Sequence, residues 1–213
     1  MNFPPLARMI VNLVPPLLAG GLLYVVVLVW YGGSPLTIDV GYAPEQPVPF
    51  SHALHVGDMG MDCRYCHTAV DKAAAATVPT TEVCMNCHQR VRMKSELLEP
   101  VRASWATGMP VKWVKVHDLP DFVYFNHSAH VTRGVGCVSC HGRVDTMQRV
   151  AQVEKLSMGW CLDCHRAPEK HLRPTEFVTR LDWVAEEDQL VLGARLRQTN
   201  HINPPQDCST CHR

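Results

Sequence analysis

The amino-terminal part of the chain is an apolar stretch that has no charged residue over the range Met9–Tyr31. Within it, Ile10–Trp30 supplies 21 consecutive residues. As a helix rising 1.5 Å per residue, this range would be roughly 31 Å long, close to the ~30 Å hydrocarbon core of a bilayer. The pattern predicts a single transmembrane helix within residues 1–31, bent in its first turns by Pro15–Pro16.

A cleaved secretory signal is the alternative interpretation of this stretch. The apolar core of such a signal usually has only about 7–15 residues, and no clear small-x-small cleavage site follows the run. An uncleaved anchor is therefore predicted. Before the span, the positive charges are Arg8 and the amino terminus. They predict that the short end stays cytoplasmic and that the rest of the chain lies outside the cytoplasmic (inner) membrane, on its periplasmic face.

The rest of the chain predicts short helices and loops, because it shows no long alternating strand pattern. Residues 32–49 are rich in Gly and Pro and predict a linker. A helix is expected after Gln89, although Pro100 must bend or end it. Another helical stretch is expected near Leu181–Arg197. The predicted helix after Gln89 has these apolar residues near one face: Val91, Leu98, Val101 and Trp105.

Composition narrows the class of protein. The 213 residues include 46% apolar and 19% charged residues, and 20 basic residues balance 20 acidic ones. A neutral chain of this kind does not suggest a nucleic-acid arm or an acidic disordered tail. Ten cysteines and twelve histidines are, by contrast, large numbers for this length.

All ten cysteines fall in five Cys-x-x-Cys-His pentapeptides, here called motifs one to five. The ranges are Cys63–His67, Cys84–His88, Cys137–His141, Cys161–His165 and Cys208–His212. The thiols are those of Cys63, Cys66, Cys84, Cys87, Cys137, Cys140, Cys161, Cys164, Cys208 and Cys211, and the histidines are His67, His88, His141, His165 and His212.

This spacing is typical of covalent haem attachment. Two thiols separated by two residues can form thioethers with the two vinyl groups of one haem, and the adjacent imidazole then binds the iron. Zinc ribbons and disulfides also use paired cysteines, but neither explains a histidine after every pair. The sequence therefore predicts five covalently bound haem c groups, with the five motif histidines as proximal ligands.

An internal repeat supplies further histidines. The segment FSHALHV at 50–56 precedes motif one, and FNHSAHV at 125–131 precedes motif three. Two histidines three residues apart lie on one side of a helical turn and can reach two different irons. His52 and His55 are therefore predicted as distal ligands of the first two haems, and His127 and His130 of the next two. Which member of each pair serves which haem stays open, and ligation across the two repeats is also possible.

The fifth haem has no such histidine pair before it. His117 is the first candidate for its distal ligand, and His201 and Met158 are the alternatives. A methionine ligand would raise the potential of that haem. His171, next to Glu169 and Lys170, is expected to be exposed.

These features predict a mostly α-helical and irregular fold. The expected parts are an anchor at 1–31, a linker at 32–49 and a pentahaem cytochrome c domain at 50–213. The domain divides into module one with a helix at 50–116, module two at 117–168 and a tail with the fifth haem at 169–213. Roughly 35 residues per haem are too few for a conventional apolar core, so the haems themselves are expected to form the core.

The two modules resemble class III-type multihaem cytochromes. The run VHDLPDFVYFNHSAH at 116–130, with SMGWC at 157–161 and INPP at 202–205, resembles the membrane-anchored pentahaem cytochrome c subunit of alternative complex III. The resemblance covers nearly the whole chain. It implies an electron-transfer subunit that is not itself the catalytic quinol site. The implied partners are an iron–sulfur subunit, polytopic quinol-binding membrane subunits, and a monohaem cytochrome c, a blue-copper carrier or an oxidase as acceptor.

Two other functions compete with this interpretation. A terminal reductase for a small substrate would need an open iron position, whereas the seven histidines outside the motifs outnumber the five haems. A free-standing membrane-anchored quinol dehydrogenase would share the anchor but not the paired Phe-x-His-x-x-His repeats.

Overall fold

The computed structural model describes residues 4–34 and 38–212. The chain divides into two compact units, residues 1–39 and residues 40–213. Each unit is built differently, because the first is almost entirely apolar and the second carries all five motifs.

The first unit contains one long helix, α1, at Pro5–Gly32. It continues through Pro15 and Pro16, and none of its residues is buried within the structure. Its most apolar 18-residue window has a mean hydropathy of 2.2. The helix is therefore long and apolar enough to cross a membrane, although an amino-terminal signal sequence would meet the same criterion.

The second unit is a series of short helices joined by loops. Its described residues contain no β-strand, only the isolated bridges Val123–His212 and Val135–Leu172. The predicted mostly helical and irregular fold is confirmed. The α-helices are α2 Cys63–Cys66, α3 Thr81–His88, α4 Glu99–Thr107, α5 His127–Val131, α6 Val138–His141, α7 Met158–Arg166, α8 Gln189–Thr199 and α9 Cys208–Cys211; a π-helical turn spans Ala53–Asp58, and 3₁₀ turns span Glu96–Leu98, Val144–Thr146, Pro168–Lys170 and Thr175–Phe177.

Every motif lies on one of these helices, and side-chain caps start three of them. The Asp62 carboxylate accepts from the Arg64 N–H, the Ser157 hydroxyl from the Trp160 N–H, and the Asp207 carboxylate from the Thr210 N–H. Such caps satisfy N–H groups that have no partner inside the helix. The cap residues therefore fix where the motif helices α2, α7 and α9 begin.

Two predicted helices differ from the observed ones. Pro100 lies in the first turn of α4 and so begins this helix rather than ending it, because a proline at that position loses no intrahelical bond. The stretch predicted at Leu181–Arg197 becomes helical only from Gln189. The Asp188 carboxylate accepts from two N–H groups there and sets the start of α8.

The apolar core of the second unit is small. One cluster joins Val48, Met85 and Val101, and the other joins a valine from each of the two modules and the tail. The second cluster consists of Val70, Val131 and Val178. It is the apolar contact that holds the three parts of this unit together.

Residues 40–49 belong to the second unit, although the sequence predicts them as linker. Gly41 N–H donates to the Gln152 carbonyl over 2.8 Å, and Gln46 exchanges two hydrogen bonds with the backbone of Val114. Val48 is buried in the first apolar cluster. The compact unit therefore begins at Val40 rather than at residue 50.

Candidate haem-attachment sites

The ten cysteines are all free thiols. Eight are partly buried, whereas Cys87 of motif two and Cys208 of motif five are exposed. Among the residues that the structure describes, no three His, Cys, Asp or Glu side chains are gathered as a metal ion's ligands.

Four of the five motif histidines donate a hydrogen bond from Nδ1 to a backbone carbonyl. An imidazole held in this way has its Nε2 free and correctly oriented for a metal. The donor set therefore fits a group whose iron takes imidazole nitrogen. The bonds are His67 to Thr77 at 2.8 Å, His88 to Val91 at 3.1 Å, His165 to Pro205 at 2.6 Å and His212 to Phe122 at 3.2 Å.

Three of the motif histidines face a histidine of the repeat. The ring centroids are 6.3 Å apart for His55 and His88, 6.1 Å for His130 and His165, and 6.3 Å for His127 and His141. Two imidazoles that bind one metal from opposite sides, each at about 2 Å, have ring centroids roughly 6 Å apart. Each of these pairs leaves the space that a single iron needs.

The fourth histidine of the repeats, His52, has His67 of motif one as its strongest charged neighbour. Burial first, and then the charges of His67 and His55, lower the pKa of His52 to about 4. The Nδ1 of His52 is buried without a hydrogen-bond partner. A neutral imidazole is the form that binds a metal, so burial prepares His52 for this role.

The two repeats are built alike around their phenylalanines. Phe50 meets His52 edge-on at 4.8 Å and stacks on His55 at 4.3 Å. Phe125 meets His127 edge-on at 4.7 Å and stacks on His130 at 4.5 Å. His55 and His130 face the second motif of their modules, His127 faces the first motif of module two, and His52 is affected by the charge of His67 in the first motif of module one.

His117 lies beside motif three, not beside motif five. A hydrogen bond of 3.4 Å joins the His141 Nδ1 and the His117 Nε2, and the two rings meet edge-on at 4.4 Å. Burial lowers the pKa of His141 to about 3, and His117 is the largest charged contributor. His117 thus takes the place that a backbone carbonyl has at the other four motif histidines.

The other candidates for the fifth site differ in their surroundings. His201 is exposed, has a left-handed backbone with φ of 50°, and lines an open cavity of about 500 Å³. Met158 is 66% exposed and stands in the first turn of α7. His171 is partly buried rather than exposed as predicted, and burial lowers its pKa.

Two arginines that the sequence reasoning missed lie next to motif three. The pKa of the Cys137 thiol is lowered most by the neighbouring Cys63 thiol and, to a smaller extent, by the guanidinium groups of Arg173 and Arg64. Each of these arginines has a buried Nε without a hydrogen-bond partner. Arg173 is only 9% exposed, yet the bonds of its guanidinium go to the carbonyls of Phe177 and Arg180. Buried cations without a carboxylate fit the anionic propionates of a haem.

Burial raises the pKa of several motif thiols, and the charges of thiols in neighbouring motifs add to the shift. The pKa of Cys66 is raised by burial and then by Cys84. Burial and then Cys211 raise the pKa of Cys161, and burial followed by Cys164 and Cys161 raises that of Cys140.

Comparison with known proteins agrees with this geometry. The family described as cytochrome c7 and related cytochrome c matches residues 48–102 and 123–213, two segments that each begin just before one of the repeats. A multihaem cytochrome c subunit of menaquinone reductase from Nitratidesulfovibrio vulgaris (strain Hildenborough) is 39% identical over 98 residues. The alignment covers 46% of this chain and 46% of that protein, about half of each.

Proposed function

The chain belongs to the family of cytochrome c7 and related cytochrome c, and we propose that it is the electron-transfer subunit of a membrane quinol:electron-acceptor oxidoreductase of the alternative complex III type. In this proposal it carries five covalently bound haem c groups and is not the catalytic quinol site. A haem c supplies a one-electron carrier. The protein groups set its ligands, charge and access to solvent.

The observation that carries the proposal is the pairing of histidines. Three motif histidines each face a histidine of the repeat with ring centroids 6.1–6.3 Å apart, and His67 acts on His52 through its charge. Two imidazoles bound to one haem iron would leave it no position for a substrate. Sites of this kind suit electron transfer and disfavour a terminal reductase.

Hydrogen bonds from the histidines of the repeats to backbone carbonyls also support a role in electron transfer. The Nδ1 groups of His55 and His130 donate to the carbonyls of Ser51 and Asn126 over 2.9 and 2.8 Å. That of His127 donates to Ala74 of module one over 2.9 Å. Imidazoles held from behind keep their orientation when the charge of the bound metal changes, which limits reorganisation during electron transfer.

The proposed location is the cytoplasmic (inner) membrane, with α1 as a single-pass anchor and the haem domain on the periplasmic side. The single positive side chain before the span, Arg8, supports this orientation. The proposed partners are an iron–sulfur subunit and polytopic quinol-binding subunits. A monohaem cytochrome c or a blue-copper carrier is the proposed mobile acceptor.

The direction of electron flow has a second candidate. The related protein from N. vulgaris is named as a subunit of a menaquinone reductase, so electrons could run from a periplasmic carrier into the quinone pool. The same paired histidines would serve either direction, because an electron carrier can be reduced and oxidised by either partner. The reduction potentials of the two partners decide in which direction the electrons flow.

Gentle purification followed by single-turnover spectroscopy tests the function. We expect iron–sulfur and polytopic subunits to co-purify, and the haems of the complex to be reduced by a menaquinol analogue. The isolated chain is the matched control and should not be reduced by the quinol. Direct quinol oxidation by the isolated chain would instead identify a free-standing quinol dehydrogenase, and reduction only from a soluble carrier would favour the opposite direction.

The distal ligand of the fifth haem still has to be assigned, and we propose Met158. Two observations support Met158 over His117. Met158 stands one helical turn before Cys161 on α7, and the Cys161 thiol is close to Cys211 of motif five. His117 is already hydrogen-bonded to His141 of motif three.

Three alanine variants decide between the candidates: Met158→Ala, His117→Ala and His201→Ala. We expect Met158→Ala alone to produce a high-spin haem, together with the loss of the component of highest potential, because a methionine ligand raises the potential. Electron paramagnetic resonance and redox titration provide the measurement. A high-spin signal in His117→Ala, with Met158→Ala unchanged, would return His117 to the fifth iron.

A further inference from the structure

We propose that the five sites form one unbranched line in the order motif two, motif one, motif three, motif four, motif five, and that electrons enter and leave at its two ends. The proposal rests on the proposed function, since it takes each motif to hold a haem. Chain order would put motif one at an end. The contacts of the folded chain put it inside.

The first link joins motif two to motif one. The Asn86 side-chain amide of motif two donates to the Tyr65 hydroxyl of motif one over 3.2 Å. The side chains in the middle of these two motifs are thus in contact.

The second link joins motif one to motif three and is the crossing between modules. Cys63 of motif one and Cys137 of motif three both bond to the same short stretch of the tail. Neighbouring carbonyls of the tail hold the two residues together: Val178 accepts from the Cys137 N–H over 3.0 Å, and Thr179 accepts from the Cys63 thiol over 3.9 Å. Val178 also lies in the apolar cluster that joins both modules and the tail.

The third and fourth links continue through module two into the tail. His127 and His130, one turn apart on α5, face His141 of motif three and His165 of motif four, with ring centroids 6.3 and 6.1 Å apart. From motif four, His165 donates to the Pro205 carbonyl over 2.6 Å, three residues before motif five.

Solvent exposure identifies the same two ends. Motif two and motif five each have one exposed cysteine, Cys87 and Cys208, whereas all six cysteines of motifs one, three and four are partly buried. A redox partner can approach a haem only where the protein leaves its edge accessible. The two ends of the line are therefore the two places where partners exchange electrons with this subunit.

The order is tested first on the intact holo-chain by a cryo-electron-microscopic or crystallographic structure. We expect the shortest iron-to-iron distances to join motifs two and one, one and three, three and four, and four and five, with the longest between two and five. A branched arrangement, or motif one at an end, would overturn the proposal. This measurement needs no redox partner. The proposed order can therefore be wrong while the electron-transfer function is right, and the function can be wrong while the order is right.

Haem-deletion variants of the complex test the two ends. Cys84→Ser/Cys87→Ser and Cys208→Ser/Cys211→Ser should each abolish exchange with one partner, and not the same one, while the remaining haems are still reduced by the other partner. The internal control Cys63→Ser/Cys66→Ser should leave a single haem, that of motif two, reducible from its side. If both end variants lose the same partner, the proposed ends are wrong.

Discussion

A chain made without attached haem should be unfolded beyond residue 40. The second unit runs from residue 40 to 213, yet the described residues contain only ten buried apolar side chains, most of them in two three-residue clusters. So small a core cannot offset the conformational entropy of ordering a domain of this size. The space between the paired histidines must be filled before the short helices have anything to pack against.

The measurement compares holo-protein with the same chain expressed in cells that lack the haem-attachment machinery. We expect the apo-chain to lose nearly all far-ultraviolet circular dichroism of the second unit and to be cleaved by protease within minutes, whereas the holo-protein resists. The variant that lacks only the terminal haem of motif five is the control, and it should keep most of its resistance. A cooperative thermal transition in the apo-chain would show that the protein core suffices.

The five attachment motifs and the repeat could be read from the sequence because both are local. Thiol and imidazole spacing is fixed within five residues, and the Phe-x-His-x-x-His segments keep the same ring geometry in both copies. The long apolar helix at the amino terminus could also be predicted, since hydropathy alone defines it. These features do not depend on how distant parts of the chain meet.

The features that the sequence could not give depend on long-range contacts. His117 is 24 residues from His141, and the carbonyl that accepts from His212 belongs to Phe122, 90 residues away. The partners of His165 and His127 are similarly remote in sequence. Spacing alone therefore could not pair each histidine with its motif, or order the motifs in space.

The start of one helix was mispredicted because a proline can either end a helix or begin one. A proline ends a helix when it falls in the interior but begins one in the first turn, and Pro100 does the second. Arg173 went unnoticed for another reason. Its role follows from burial next to Cys137, and an arginine outside any motif gives no sign of burial in the sequence.

His130→Ala should convert one of the five haems from low spin to high spin. The His130 ring faces His165 at 6.1 Å and is held by its hydrogen bond to Asn126, so no other side chain of that turn can take its place. Alanine preserves α5, because Asn126 still caps the helix by accepting from the Ala129 N–H. The change should therefore be confined to the iron of motif four.

The matched control is His171→Ala, which removes a partly buried histidine from the start of the tail, just after module two. Low-temperature electron paramagnetic resonance of both variants should show a high-spin signal only in His130→Ala, and added imidazole should restore the low-spin spectrum. His130→Met should remain low-spin with a raised potential for one component, since methionine is also an axial ligand. A high-spin signal in His171→Ala, or none in His130→Ala, would mean that His165 has a different partner across its iron and that the pairing within modules is wrong.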